Sequence, residues 1–277
     1  MSLLKYIPAS FGSNREPKPV YDTIKYGMLY NRQLLDEFHA DPTLIISSDM
    51  ITEGWRIPVA ADYDINLIEY LYTVLSTDVN NVGHYVRLNR IEPQVHPRWN
   101  TNDYPSINSS NFNWLPCGEF ATQIGQPVQG AVAGLGGSIV TLTINFTRTY
   151  IRRFRLSEIP TYINFYESNF VEEPMLMYGG TRLIREATLA ELSLPDFKML
   201  QPYIGATGIK YPTVKIGNYV WLAWNLADRK YTDGNWLPGG NELLDVDDFI
   251  NITTPYCVPP LLDLQLYTDP DRWLNVM

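Results

Sequence analysis

Most hydrolytic, redox and metal chemistry is built from histidine, cysteine and clustered carboxylates, and this chain uses the first two sparingly. Its three histidines are His39, His84 and His96. His84 and His96 stand twelve apart in loop-like sequence, with no Glu-x-x-His and no cysteine at ligand spacing, so no zinc site is expected. His39 falls at the end of a predicted helix, where the dipole favours a cation. Cys117 and Cys257 belong to no Cys-x-x-Cys motif and are expected as free thiols, since a bridge needs Cα atoms about 4.4–6.8 Å apart. No Gly-x-Ser-x-Gly elbow occurs, and neither cysteine has a nucleophile motif around it. The glycine-rich run 125–137, GQPVQGAVAGLGG, lacks a Lys-Ser/Thr ending and precedes a strand, which argues against a phosphate loop.

Two other groupings have chemical content. Glu242, Asp245, Asp247 and Asp248 form an acidic cluster, but the central glycine and terminal glutamate of a calcium loop are missing, and a solvated turn is the expectation. Glu172, Glu173, Asp233 and Glu242 lie near Trp221, Trp224 and Trp236 in sequence. Paired carboxylates suit glycosidic cleavage and aromatic faces suit sugars, so a carbohydrate-binding or glycoside-active β protein is the alternative reading. Core tryptophans with surface acids account for the same residues without catalysis, and no enzyme is expected.

The richest stretch is Ser138 to Leu156, SIVTLTINFTRTYIRRFRL. Val140, Leu142, Ile144 and Phe146 alternate with polar residues, the period of a strand with one buried face. Continued as one strand, the same face carries Arg148, Tyr150, Arg152 and Phe154, with Arg153 and Arg155 opposite. At about 3.3 Å per residue the run would reach roughly 60 Å, so its far half is expected to bend, cross to another sheet or project. The arginines could meet phosphate, pair with an acidic neighbouring subunit, or form a solvated face. Charge divided between two faces suits a strand between partners, and Glu167, Glu172 and Glu173 of a neighbouring copy are expected mates.

The elements around it read as follows. Residues 1–20 are an extended arm containing Pro8, Pro17 and Pro19. Asp22 to His39 is predicted helical, ended by Asp41-Pro42. Tyr63 to Ser76 is the clearest helix, with Asp62 as N-cap and a stripe of Ile65, Ile68, Leu71, Tyr72 and Leu75. Asn80 to Gln123 is loop-like except for a strand at Tyr85–Leu88. Thr161–Tyr166 is a strand and Thr181–Leu192 a short helix. Thr213–Asn225 is a strand pair, with Val214, Ile216, Val220, Leu222 and Trp224 on one face and Lys215, Tyr219 and Trp221 opposite; Gly217-Asn218 is its turn or bulge. Thr232–Asn235 is a turn. Residues 254–277 carry four prolines and several leucines and form an extended apolar tail. The fold class is thus α+β and β-rich, with an antiparallel sheet or sandwich core, N-terminal helices and extended terminal arms. Its regions are an arm (1–20), a helical and irregular part (21–123), a β-rich core (124–253) and a tail (254–277).

Composition sets the class. The chain is 45% hydrophobic, 13% aromatic and only 18% charged, which excludes a disordered protein and suits buried interfaces rich in tyrosine and tryptophan. The net charge of −9 argues against general nucleic-acid binding, though an acidic surface suits a channel through which DNA slides. No run approaches the roughly 20 apolar residues of a membrane span, and the first residues hold no secretory h-region.

Taken together, the arm at Met1–Pro19, the long strand at Ser138–Leu156 and the tail at Pro255–Met277 resemble structural proteins of tailed-bacteriophage particles, of the neck, collar, adaptor or baseplate kind. The resemblance implies a virion component, assembled in the host cytoplasm as a ring or other multimer. It would contact copies of itself, other virion proteins and, in passing, DNA in a channel, and would need no cofactor. The implied contact residues are Arg148, Tyr150, Arg152, Arg153, Phe154, Arg155, Leu264, Leu266 and Trp273.

Overall fold

The computed structural model describes residues 27–59, 61–77, 82–86, 108–114, 120–123, 137–145, 148–156, 163–168, 175–239 and 254–258. The N-terminal arm, the tail beyond 258, the cluster 242–248, His96, Cys117, Glu172 and Glu173 lie outside them. In chain order the strands are β1 (Leu29–Asn31), β2 (Phe120–Gln123), β3 (Gly137–Asn145), β4 (Arg148–Leu156), β5 (Ile163–Ser168), β6 (Met175–Gly179), β7 (Ile184–Glu186), β8 (Met199–Ile204), β9 (Lys210–Ile216), β10 (Tyr219–Leu222) and β11 (Cys257–Val258). The helices are α1 (Arg32–Ala40), α2 (Ser48–Thr52), a π-helix (Asp62–Glu69) running into α3 (Tyr70–Val74), α4 (Val82–Val86) and α5 (Leu189–Leu192). The strands form three antiparallel sheets, ordered β11-β1-β6-β2, β7-β10-β9-β8 and β3-β4-β5. The architecture is α+β.

The sheet β7-β10-β9-β8 is apolar on both faces. One face, with Val220 and Leu222, joins Tyr30, Leu34, Leu35 and Phe38 in a first core; the other, with Val214, Ile216 and Trp221, joins Tyr63, Leu67, Leu71, Phe112 and Trp114 in a second. Helical elements cover each side, as an antiparallel sheet with no solvated face requires. The second core is an aromatic stack: the Tyr63 and Trp221 ring centroids are 5.2 Å apart, and those of Phe112 and Trp221 5.7 Å. At the open edge, Pro202 and a register shift between Leu200 and Tyr203 interrupt β8, the usual ways an edge is kept from pairing with another chain.

Several elements depart from expectation for local reasons. The first helix starts at Arg32 rather than Asp22: Gly27 takes φ +79°, Leu29–Asn31 is strand, and Asn31 caps α1 by accepting the Leu34 N–H at 3.0 Å. The segment expected as strand at Tyr85–Leu88 is helical through Val86, and Phe120–Gln123 pairs with β6 instead of remaining loop. Thr181–Leu192 is mostly extended; only Leu189–Leu192 is helical, started by a capping box between Thr188 and Glu191. The helix expected over Tyr63–Ser76 spans Asp62–Val74, but its first eight residues are π-helical, with the Tyr70 N–H donating to the Ile65 carbonyl. The wider turn brings Tyr63 and Leu67 to the core and leaves Ile65 56% exposed.

The long central strand is a hairpin. Asn145 stands opposite Arg148 and Gly137 opposite Leu156, so the run folds back on itself rather than reaching outward. β5 then pairs along β4, and β3 lies beside α1 and β6.

Candidate functional site

The hairpin redistributes the arginine strip. Because Asn145 and Arg148 are register partners, the row of Val140, Leu142 and Ile144 falls with Arg153, Ile151 and Thr149, not with Arg152. Arg152 sits between Thr141 and Glu167, Phe154 between Ile139 and Phe165, Tyr150 opposite Thr143, and Arg155 between Ser138 and Asn164. Glu167, expected as a mate from another copy, is therefore the register neighbour of Arg152 in the same sheet. Arg148, Arg153 and Arg155 have no acidic register partner on β3 or β5. Of the other expected contact residues, Leu264, Leu266 and Trp273 lie outside the described residues.

The remaining titratable candidates resolve into structural roles. His39 is in the last turn of α1, with its Nε2 buried and lacking a hydrogen-bond partner. Burial, then the charge of Arg56, lowers its pKa, so the helix-end cation expected from the sequence gives way to the neutral form. Cys257 is buried and forms no disulfide among the described residues. Among the described residues no group of three or more His, Cys, Asp or Glu is placed to hold a metal, and no helix is long and apolar enough to cross a membrane.

Asp62 does not cap its own helix. Its carboxylate accepts from both Arg56 terminal nitrogens at 2.6 and 2.7 Å, from the Val59 N–H at 2.8 Å and from Asn66 Nδ2 at 3.1 Å, fastening the preceding loop to the π-helix. Asp196 is a second knot, accepting from Tyr70 Oη (2.6 Å), Lys215 Nζ (2.7 Å) and the Gly217 N–H (3.0 Å). Burial alone would raise the Asp196 pKa, but these donors hold it below the usual value. The same contact, added to burial, pushes the Tyr70 hydroxyl up to about 12.

Beside this knot lies a groove of about 260 Å³ between the π-helix and the β9–β10 turn, lined by Ile65, Asn66, Glu69, Tyr70, Thr73, Asn218 and Tyr219. Glu69 is the one carboxylate in that lining and no nucleophile–base pair faces it, so the groove's chemistry is that of a shallow contact surface.

Buried polar groups clamp loops to the sheet. Arg182 is fully buried, and its guanidinium donates to Asn225 Oδ1, to the Phe112, Asn113 and Leu222 carbonyls, and lies 3.9 Å from the centre of the Phe112 ring. Asp228 Oδ1 accepts from the Thr207 N–H and hydroxyl, and its Oδ2 accepts from the Tyr211 hydroxyl. Burial raises the Asp228 pKa despite these donors.

The tryptophans separate clearly. Trp221 is wholly buried, so it cannot face a glycan; Trp224 is half-buried; Trp236 is 45% exposed. Sequence reading named Trp236 and its turn but overlooked Arg229 and Lys230. Hairpin spacing around Asp233-Gly234 was the available clue, since it sets Lys230 opposite Trp236. The chain matches no family model, no curated protein and no solved structure.

Proposed function

We propose that this chain is a non-enzymatic structural component of a virus particle, working as one copy in a ring or other symmetric multimer. The observation that carries the reading is the β3-β4-β5 sheet. Between residues 137 and 168 stand four arginines and two glutamates, in a chain of net charge −9. Three of those arginines occupy rows of the central strand that hold no carboxylate on either neighbouring strand. Arginine-rich positions on the central strand of an otherwise acidic chain are complementary to the acidic surface of another copy, and complementary charge sets partner choice and register in an interface. Native mass spectrometry and light scattering test this. A defined multimer is expected for the wild type, and Arg153→Glu with Arg155→Glu should return it to folded monomers. A wild type that stays monomeric at high concentration, or a double variant that assembles unchanged, overturns it.

A further inference from the structure

Trp236 is presented on a hairpin that is held firmly from below. Lys230 and Trp236 form an antiparallel bridge, the Tyr231 N–H donates to the Asn235 carbonyl at 2.9 Å, and Asp233 accepts from the Asn235 N–H and Nδ2, both at 2.8 Å. Thr232 ties the loop to the body, its N–H donating to the Leu44 carbonyl at 2.9 Å and its hydroxyl to the Thr43 carbonyl at 2.6 Å. Two cations lie over the ring in cation–π contacts: Lys230 Nζ is 4.5 Å and Arg229 Cζ 5.9 Å from its centre. Neither makes an ion pair among the described residues, and Arg229 Nε is buried without a hydrogen-bond partner. By contrast, Arg56 pairs with Asp62, Arg185 with Glu191 and Lys215 with Asp196.

We infer that the 229–236 hairpin is a binding site for a carboxylated sugar residue, a sialic or uronic acid. The part of the indole left exposed suits the C–H face of a pyranose ring, and the two cations held over the ring suit that sugar's carboxylate. The exposed Asp233 and the amide oxygen of Asn235 are left to accept from hydroxyls. A phosphate chain carries repeated negative charge past the exposed Asp233 and over a chain of net charge −9, where an acidic sugar carries a single charge, which makes single-stranded nucleic acid the weaker match. The inference is independent of the multimer reading, because it concerns neither the β3-β4-β5 sheet nor copy number.

Isothermal titration of the full chain tests it, using 3′-sialyllactose, a glucuronate-ended disaccharide, lactose as the neutral arm and a thymidine oligonucleotide as the polyanion arm. At least one acidic sugar is expected to bind about tenfold or more tighter than lactose, and Trp236→Ala and Lys230→Gln should each weaken that binding about tenfold. Near-UV circular dichroism checks that the variants are folded; if Trp236→Ala is not, Lys230→Gln and Arg229→Gln carry the test. Failure of both acidic sugars to bind, unchanged affinity in the folded variants, or tighter binding of the oligonucleotide overturns the inference.

Discussion

Arg182 illustrates how a side chain that sequence reading passes over can hold a core together. Within TRLIREATLAEL, expected as a short helix, nothing singles it out; in an extended segment it is buried, and its guanidinium satisfies three carbonyls from one loop and a strand. Arg182→Met should destabilise by about 3 kcal/mol or more, since buried acceptors are left unpaired, and Arg182→Lys should not rescue it because an ammonium lacks the planar fork. Urea unfolding measures both. Titration gives two further tests of opposite sign. Glu191 is held at about 2, chiefly by its hydrogen bond to Arg185. A depressed folded-state pKa stabilises above the unfolded value of roughly 4.3 and loses that stability as pH falls through about 2, so the deficit of Glu191→Gln should be full at pH 7 and shrink on acidification. Asp228 has the reverse sense: its raised pKa favours the protonated fold, so its contribution is complete below the unfolded value of about 3.9 and declines as pH rises through the folded one. Asp228→Asn should remove that decline, read as a flatter stability profile as pH rises above about 4.

Element by element, strands were more legible than their faces. Alternation located β3, β4, β5, β9 and β10, yet the face assignments failed at both two-residue turns, for the same reason. Direct partners across such a turn are three apart in sequence, Asn145 with Arg148 and Ile216 with Tyr219. Odd and even positions therefore exchange faces, and counting by twos through the turn puts every later residue on the wrong side. Trp221 thus shares the face of Val214, and Val220 that of Lys215. Helices were misplaced where a glycine or π-turn altered a pattern that periodicity treats as uniform, and the core residues Phe112 and Trp114 sat in sequence too irregular to show any period. Gly217 sits at φ +59° with the Tyr70 ring 3.1 Å from where a Cβ would stand. Gly217→Ala should cost about 1–3 kcal/mol, measurable by thermal unfolding, and should loosen the Asp196 knot along with the groove beside it.

At the scale of the whole molecule, the α+β class was readable from composition and alternation, whereas the grouping of strands was not, because pairings between distant segments leave no local trace. The tail shows this. Residues 254–277 read as an extended tail, but Tyr256 and Cys257, which truncation after Pro255 would remove, are buried and Cys257 pairs with Tyr30. That truncation should lower stability by about 3 kcal/mol or more, seen in chemical denaturation. Trp221→Ala should likewise cost about 3–5 kcal/mol, and so reports on folding rather than on sugars. One further consequence concerns biosynthesis. Asn31 Oδ1 accepts the Tyr256 N–H across 225 residues, whereas every partner in β7-β10-β9-β8 lies within Ile184–Leu222. On the ribosome the latter sheet has all its strands early, while β1 must wait for residues 256–258 to emerge before its second edge is covered. Nascent chains stalled before that point should leave β1 accessible to proteases and chaperones.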